Sequence, residues 1–280
     1  MKTLLAVVGD GTAAPLLETA LLAARRYGSR IVGLNAQTTE YAVVFGGEMG
    51  FSISSEVDRT LEREGQDRRE QARALFTSFM RQHGVPVGGA PGEGPSAEWR
   101  EEAGRQNAVV GTLGRVFDLV VVERPIKLAS LAEATLEDAL FESGRPVLMA
   151  PPTPLSAIGE RVLVAWNGST ETARTVAFAM PFLERAASVQ VVSVEGGMTP
   201  GPSSEELAAM LSRHGMPAIG RHVMARGRTP GEVYLDEAKA IGADLMVKGA
   251  YTQSRLRQMI FGGATRHIIM EATMPVILAH

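Results

Sequence analysis

The chain repeats itself, and that repeat constrains its fold more than any other feature. Residues 3–12, TLLAVVGDGT, resemble residues 161–170, RVLVAWNGST. Each is a short apolar run that ends in Asp-Gly or Asn-Gly and then a hydroxyl residue. A helical spacing of apolar side chains follows both: Leu16, Leu17, Ala20, Leu21 and Ala24 in the first copy, Val176, Ala177, Met180 and Leu183 in the second. A second apolar run comes next, at 31–34 and at 189–192. Further on, residues 117–122 match 243–247, and residues 145–150 match 274–279. The joint, Pro151-Pro152-Thr153-Pro154, cannot sustain a helix and reads as an extended linker. The expectation is a tandem duplication, with one domain over 1–154 and a second over 155–280.

Within each copy, short apolar runs alternate with helical patterns. Runs of that kind suit parallel strands covered on both faces, and the alternation implies βαβ crossovers. In the second copy the pattern predicts strands near 161–166, 189–194, 219–225, 243–248 and 275–279. It predicts helices near 170–185, 203–214, 230–241 and 264–272. The fold class is α/β: two tandem open parallel sheets of five strands with helices on both faces. In such sheets a ligand lies beyond the carboxyl ends of the strands, where the strand order reverses. The segments to inspect are therefore Asn167-Gly168-Ser169, Glu195-Gly196-Gly197, Arg226-Gly227-Arg228 and residues 249–265.

Composition removes several alternatives. A length of 280 residues suits two domains. There is no cysteine, so disulfides, thiolate catalysis and cysteine-based metal sites are excluded. A net charge of -3 argues against nonspecific nucleic-acid binding, which needs a dense basic face. The five histidines show no metal-ligand spacing. No stretch approaches the ~18 apolar residues of a membrane span, and Gly9-Asp10-Gly11 ends the N-terminal apolar run too early for a signal peptide. The expected location is cytoplasmic, with no membrane or nucleic-acid partner.

Residues 249–265, GAYTQSRLRQMIFGGAT, carry the most chemistry. Gly249 follows a strand, and Gly262 and Gly263 precede a helix that Thr265 can cap. Exposed N–H groups at a helix N-terminus bind anions. Arg255 and Arg257 offer charge-assisted hydrogen bonds, and Ser254 a hydroxyl. A phosphate cradle is one reading. A plain turn beside a solvated Ser-Arg-x-Arg surface is the other.

This stretch resembles the nucleotide loop of the universal stress protein family, whose pattern is Gly, two residues, Gly, nine residues, then Gly and Ser or Thr. Gly249 and Gly262 take the first and third positions. Thr252 stands in place of the second glycine, and Gly263 follows Gly262 with Thr265 two places later. The terminal Met-Pro-Val-Ile-Leu is similar to the family's last strand, and the resemblance spans both copies. It implies the adenine nucleotide alpha hydrolase-like fold of that family. It also implies an adenine nucleotide, ATP or AMP, with or without magnesium. Carried over, the candidate nucleotide-binding residues are Asn167, Val194, Glu195, Gly249, Tyr251, Thr252, Ser254, Arg255, Arg257, Gly262, Gly263, Ala264 and Thr265. In the family an acidic residue after the first strand contacts the nucleoside. Here that position holds Asn167, which keeps hydrogen-bonding capacity without charge.

The first copy keeps Asp10 but reads Glu123-Arg124-Pro125-Ile126-Lys127 after its fourth strand, with no glycine before Gly144. A backbone cradle is not expected there, and Glu123 in place of Gly249 would repel phosphate. Gly92-Glu93-Gly94-Pro95-Ser96-Ala97 matches a dinucleotide fingerprint only superficially and reads as a loop equivalent to 226–230. Asp118 and Asp244 begin strands, so they belong to the wrong sheet end for chemistry and are expected to cap or pair locally. The apolar segment 41–51 reads as a lid, a dimer contact or a segment packed on its own domain. The charged run 58–73 reads as a solvated helix. The halves are expected to form an intrachain pseudo-dimer with last strands adjacent, and a homodimer is a further option. The functional expectation is a nucleotide-dependent stress-response regulator whose protein partner the sequence does not identify. The alternatives are a slow ATP hydrolase, with Glu195 as the available base and no evident catalytic constellation, or a ligand-free scaffold.

Overall fold

The computed structural model describes residues 1–9, 13–37, 55–88, 94–127, 130–250 and 263–280, with the backbone alone at 55–62. The first half runs β1 (Thr3–Val7), α1 (Ala14–Tyr27), β2 (Arg30–Gln37), α2 (Ser55–Gln82), β3 (Ser96–Ala103), α3 (Gln106–Leu113), β4 (Leu119–Glu123), α4 (Leu131–Glu142) and β5 (Val147–Ala150). The second runs β6 (Arg161–Ala165), α5 (Thr170–Leu183), β7 (Ser188–Val194), α6 (Ser204–Arg213), β8 (Ala218–Val223), α7 (Pro230–Ala240), β9 (Leu245–Gly249), α8 (Gly263–Glu271) and β10 (Val276–Ala279). The predicted elements of the second half all form, with ends within about two residues of the expected ones, the usual uncertainty of such boundaries.

The strands form one sheet of ten in the order β3-β2-β1-β4-β5-β10-β9-β6-β7-β8. The two expected five-stranded parallel sheets are thus joined edge to edge. The joint is the only antiparallel pair described, with Met149 opposite Val276, Leu148 opposite Ile277 and Val147 opposite Leu278. Within each half the order reverses beside the first strand, which lies between the second and the fourth.

Alternation along each strand feeds two apolar layers. Leu4, Ala6, Val162 and Val164 point to one face, which α1, α2, α5 and α6 cover through Leu17, Phe76, Phe182 and Leu211. Leu5, Val7, Leu163 and Ala165 point to the other, beneath α3, α4, α7 and α8, which supply Val110, Leu136, Val233 and Ile268. Helix starts in the second half follow local sequence. Ser203 and Glu206 close a reciprocal capping box on α6, and Thr229 and Glu232 close one on α7, where Pro230 occupies the first turn. The charged run lies on α2 and, over its described residues 63–73, is exposed apart from a few positions such as Ala72; the helix meets the core further on, through Phe76 and Met80.

The amino ends of the strands carry one device twice. Asp118 Oδ2 accepts from the N–H groups of Lys2 and Thr3 at 2.5 and 3.0 Å. Asp244 Oδ1 accepts from Glu160 N and Arg161 N at 2.9 and 3.0 Å. Both aspartates therefore pair locally at the amino end of their own half, away from that half's crevice, as expected. One expectation needs correction. Ser96 and Ala97 begin β3, so the 92–97 segment precedes a strand instead of following one, and it is not the counterpart of 226–230.

Contacts across the joint are specific. Arg26 at the end of α1 pairs with Glu160 at 2.5 Å and donates to the carbonyls of Gly159, at 3.0 Å, and Arg185. Tyr27 meets Phe182 edge-on at 5.2 Å, with the Arg185 guanidinium 4.8 Å above its ring. Burial pushes the Tyr27 hydroxyl up to about 12. No helix among the described residues is long and apolar enough to cross a membrane.

Candidate functional site

In the second half the order reversal places the carboxyl ends of β7, β6 and β9 side by side. Ala165, the last residue of β6, is opposite Lys248, so β9 extends one residue further, to Gly249. Beyond β6 the chain turns sharply. Trp166 Nε1 donates to Pro202 O at 2.7 Å, and Trp166 O accepts from the buried Tyr234 hydroxyl at 2.9 Å. Burial holds that tyrosine's pKa well above its ordinary value, so the hydroxyl remains a donor.

Asn167 is buried and shapes the start of α5. Its Oδ1 accepts from Thr172 Oγ1 at 2.6 Å and from Ser169 N at 3.2 Å. Its carbonyl accepts from Thr199 N and Thr199 Oγ1 at 2.8 and 3.0 Å. Ser169 caps the helix by accepting from Thr172 N at 3.2 Å. The same threonine abuts β9. A Cβ on Gly249 would lie 2.5 Å from Thr172 N and from Thr172 Oγ1. Gly249 therefore owes its identity to the close approach of strand and helix. It is also the last residue of β9, whereas in the sequence it reads as the residue after the strand.

Val194 is wholly buried and contributes backbone only: its carbonyl accepts from Gly197 N at 3.0 Å. Glu195 is exposed. Its N–H donates to Val223 O at 2.9 Å, and its carboxylate accepts from Ala225 N at 3.2 Å. At the start of α8, Gly263 is exposed, with no atom of the described residues near an added Cβ, whereas Thr265 is buried. Ala264 packs on α7, where a Cβ on Gly231 would lie 3.0 Å from Ala264 O. Tyr251, Thr252, Ser254, Arg255, Arg257 and Gly262 lie outside the described residues, as does the segment 41–51.

One residue of the site escaped the sequence reading. Lys248 is 4% exposed, and its Nζ donates to Gly249 O at 2.7 Å. Burial pushes its pKa down to about 8, and the Glu171 carboxylate opposes that shift. The signal was present: a lysine extends the apolar run Leu245-Met246-Val247 by one residue.

The equivalent place in the first half is built differently. Glu123 pairs with Ala150 as Gly249 pairs with Ala279, so the two occupy matched positions. Glu123 lines a small cavity with Val7, Gln106, Val122, Ala132 and Thr135, and a Cβ on Gly9 would lie 4.0 Å from its Oε1. The first half thus has a carboxylate at the strand position where the second half has Gly249. Arg124, the next residue, crosses the joint and donates to Met270 O near the end of α8. Among the described residues, no cluster of three or more His, Asp or Glu side chains is arranged to hold a metal ion.

Residues 159–280 match the model of the Universal stress protein family. Solved structures share the fold of the whole chain. A universal stress protein from Archaeoglobus fulgidus DSM 4304 aligns with 99% of this chain and 95% of its own at 15% identity and a TM-score of 0.70. A putative universal stress protein from Pseudomonas aeruginosa UCBPP-PA14 aligns with 100% and 93% at 15% identity and a TM-score of 0.54. A functionally unknown protein from Pseudomonas aeruginosa PAO1 aligns with 100% and 92% at 13% identity and a TM-score of 0.53. Among curated protein sequences there is no significant match.

Proposed function

With residues 159–280 matching the model of the Universal stress protein family, we propose that the chain is a stress-response regulator that binds an adenine nucleotide, ATP or AMP, in its second-half crevice. The observation that carries the reading is the contrast between matched strand ends. At Gly249 the second half presents bare backbone packed against the first turn of α5, with Asn167 one hydrogen bond away through Thr172. At Glu123 the first half presents a carboxylate to its own crevice. Fixed N–H groups beside a helix start suit a phosphate, and a carboxylate in the same place repels one.

In this reading Asn167 faces the nucleoside, the backbone at Val194 and Glu195 meets the base, and Gly263, Ala264 and Thr265 hold phosphate. Tyr251, Thr252, Ser254, Arg255, Arg257 and Gly262 complete the loop. The first domain, 1–154, keeps the joint and serves a structural or partner-binding role. Occupancy of the second domain, 155–280, shifts a conformation that a protein partner reads. A regulator suits the site better than a hydrolase, because Glu195, the available base, already accepts from Ala225 N.

Calorimetric titration with ATP and AMP, with and without magnesium, tests the reading. The expected result is about one site per chain, lost in Gly263→Val, where an added Cβ meets no atom of the described residues. No binding to the folded parent would leave a scaffold. Turnover that disappears in Glu195→Gln would make the protein an enzyme.

A further inference from the structure

Every oxidisable sulfur in this chain is a thioether, since the sequence has 13 methionines and no cysteine. Burial divides them. Met80, Met149 and Met246 are fully enclosed in the two apolar layers. Met198, Met210, Met216 and Met224 belong to one region, from the connection after β7 to the residue after β8. Met216 is buried there, and Met198 and Met210 pack on the same layer only partly buried. Met224 is 52% exposed, more than any other methionine among the described residues.

That region is the outer margin of the sheet. β8 ends the strand order, and α6 packs on β7 and β8. The fit is close: a Cβ on Gly220 would lie 2.4 Å from Ser204 O, and the buried hydroxyls of Ser193 and Ser204 are 3.0 Å apart. The connection that leads into α6, residues 195–202, is a strap tied down on the turn after β6. Thr199 donates to Asn167 O, Trp166 Nε1 donates to Pro202 O, and a Cβ on Gly201 would lie 2.6 Å from Gly168 O. Met198 is the strap's one long apolar side chain. A thioether is apolar and flexible and suits such a place. A sulfoxide is polar, and enclosing it without a donor is unfavourable. Elements at a margin open first, because few contacts hold them.

We propose that Met198 and Met210 form a redox switch: oxidation of their sulfurs by a hydroperoxide releases the strap and α6 from the margin of the sheet. The sulfur attacks one peroxide oxygen, and the O–O bond breaks as the S–O bond forms. Sulfur gives up two electrons and the peroxide is reduced. The proton on the transferred oxygen passes to the departing hydroxide, which leaves as water. A methionine sulfoxide reductase restores the thioether. Because the strap's hydrogen bonds end on Trp166 and Asn167, its release also loosens the turn after β6.

The full chain is treated with hydrogen peroxide. Peptide mass mapping assigns each oxidised methionine, and amide hydrogen exchange follows each element. M198L/M210L and M224L are compared with the parent, leucine keeping the side-chain volume. Met224 should take up oxygen first and Met198 and Met210 next, while Met80, Met149 and Met246 stay reduced. Exchange in the strap and α6 should then rise about tenfold or more, with β1, β4, β6 and β9 unchanged. M198L/M210L should keep slow exchange in peroxide, M224L should lose it as the parent does, and the reductase should restore it. An α6 that exchanges no faster with both sulfoxides in place would overturn the switch. So would loosening that persists in M198L/M210L, or a Met198 and Met210 that stay reduced when Met224 is fully oxidised. Should M198L/M210L fold poorly, oxygen uptake and exchange in the parent decide the matter alone.

Discussion

Gly249→Ala is the sharpest test of why that position is glycine. A Cβ there would lie 2.5 Å from Thr172 N and Oγ1 and 2.7 Å from Thr172 Cα. Ordinary contact begins at 3.4 Å, so the first turn of α5 must retreat by about 0.9 Å. The clashing atoms are backbone and a hydroxyl held on Asn167, and neither can swing aside as a long side chain would. Overpacking of this kind costs ~1–3 kcal/mol, and weakening the Ser169 cap adds ~1 kcal/mol. A total near 3 kcal/mol lowers the melting temperature by about 6–12 °C at ~2–4 °C per kcal/mol. Gly263→Ala is the control. Its added methyl meets no atom of the described residues, and its stability should stay within ~0.5 kcal/mol of the parent. Thermal unfolding followed by circular dichroism measures both. A Gly249→Ala protein that melts with the parent would refute the packing argument. So would a Gly263→Ala protein that loses as much.

Three further outcomes follow from the same geometry. Burial raises the Asp118 carboxyl, but hydrogen bonds from Lys2 and Thr3 outweigh it and hold its pKa below the ordinary 3.8. Its contribution to stability is therefore complete above that value and is lost as pH falls through the lower folded-state value; Asp118→Asn should remove this part of the acid transition in a pH-dependent urea melt. Arg26→Ala cuts the ties to Glu160, Gly159 and Arg185 across the joint, and should cost ~2 kcal/mol, less than the ~3–5 kcal/mol of a fully buried pair because the Glu160 side chain is 46% exposed. The denaturant midpoint reports that change. Asn167→Asp keeps both interactions made by Oδ1, so its melting should match the parent, while nucleoside affinity measured by calorimetry should rise.

The α/β class with its parallel strands and the second-half elements could be read before any coordinates. Apolar runs and paired motifs encode them directly. Asp118 and Asp244 were legible too, because their place at strand starts fixes which end of the sheet they occupy. What could not be read was set by neighbours distant in the chain. β3 carries Glu98, Arg100, Glu101 and Glu102, a pattern without a strand's apolar alternation. It forms at the sheet's edge, where charges are tolerated and discourage pairing with another chain. Gly249 looked like a loop glycine, because its clash is with Thr172, on a helix 77 residues earlier in the chain. Lys248 looked like the end of an apolar run, and only the layers above and beside it show that its ammonium is enclosed.

The antiparallel seam between β5 and β10 has a last consequence. Two separate copies meeting at such a seam would associate only as far as their concentration allowed, and one gene would write every change into both. Within a single chain the partner strand is always present, so dilution does not dissolve the seam. The symmetry need then hold only where the strands touch. Away from that line each half can change alone, and a carboxylate at Glu123 in one half where the other has Gly249 is what such freedom looks like in atoms.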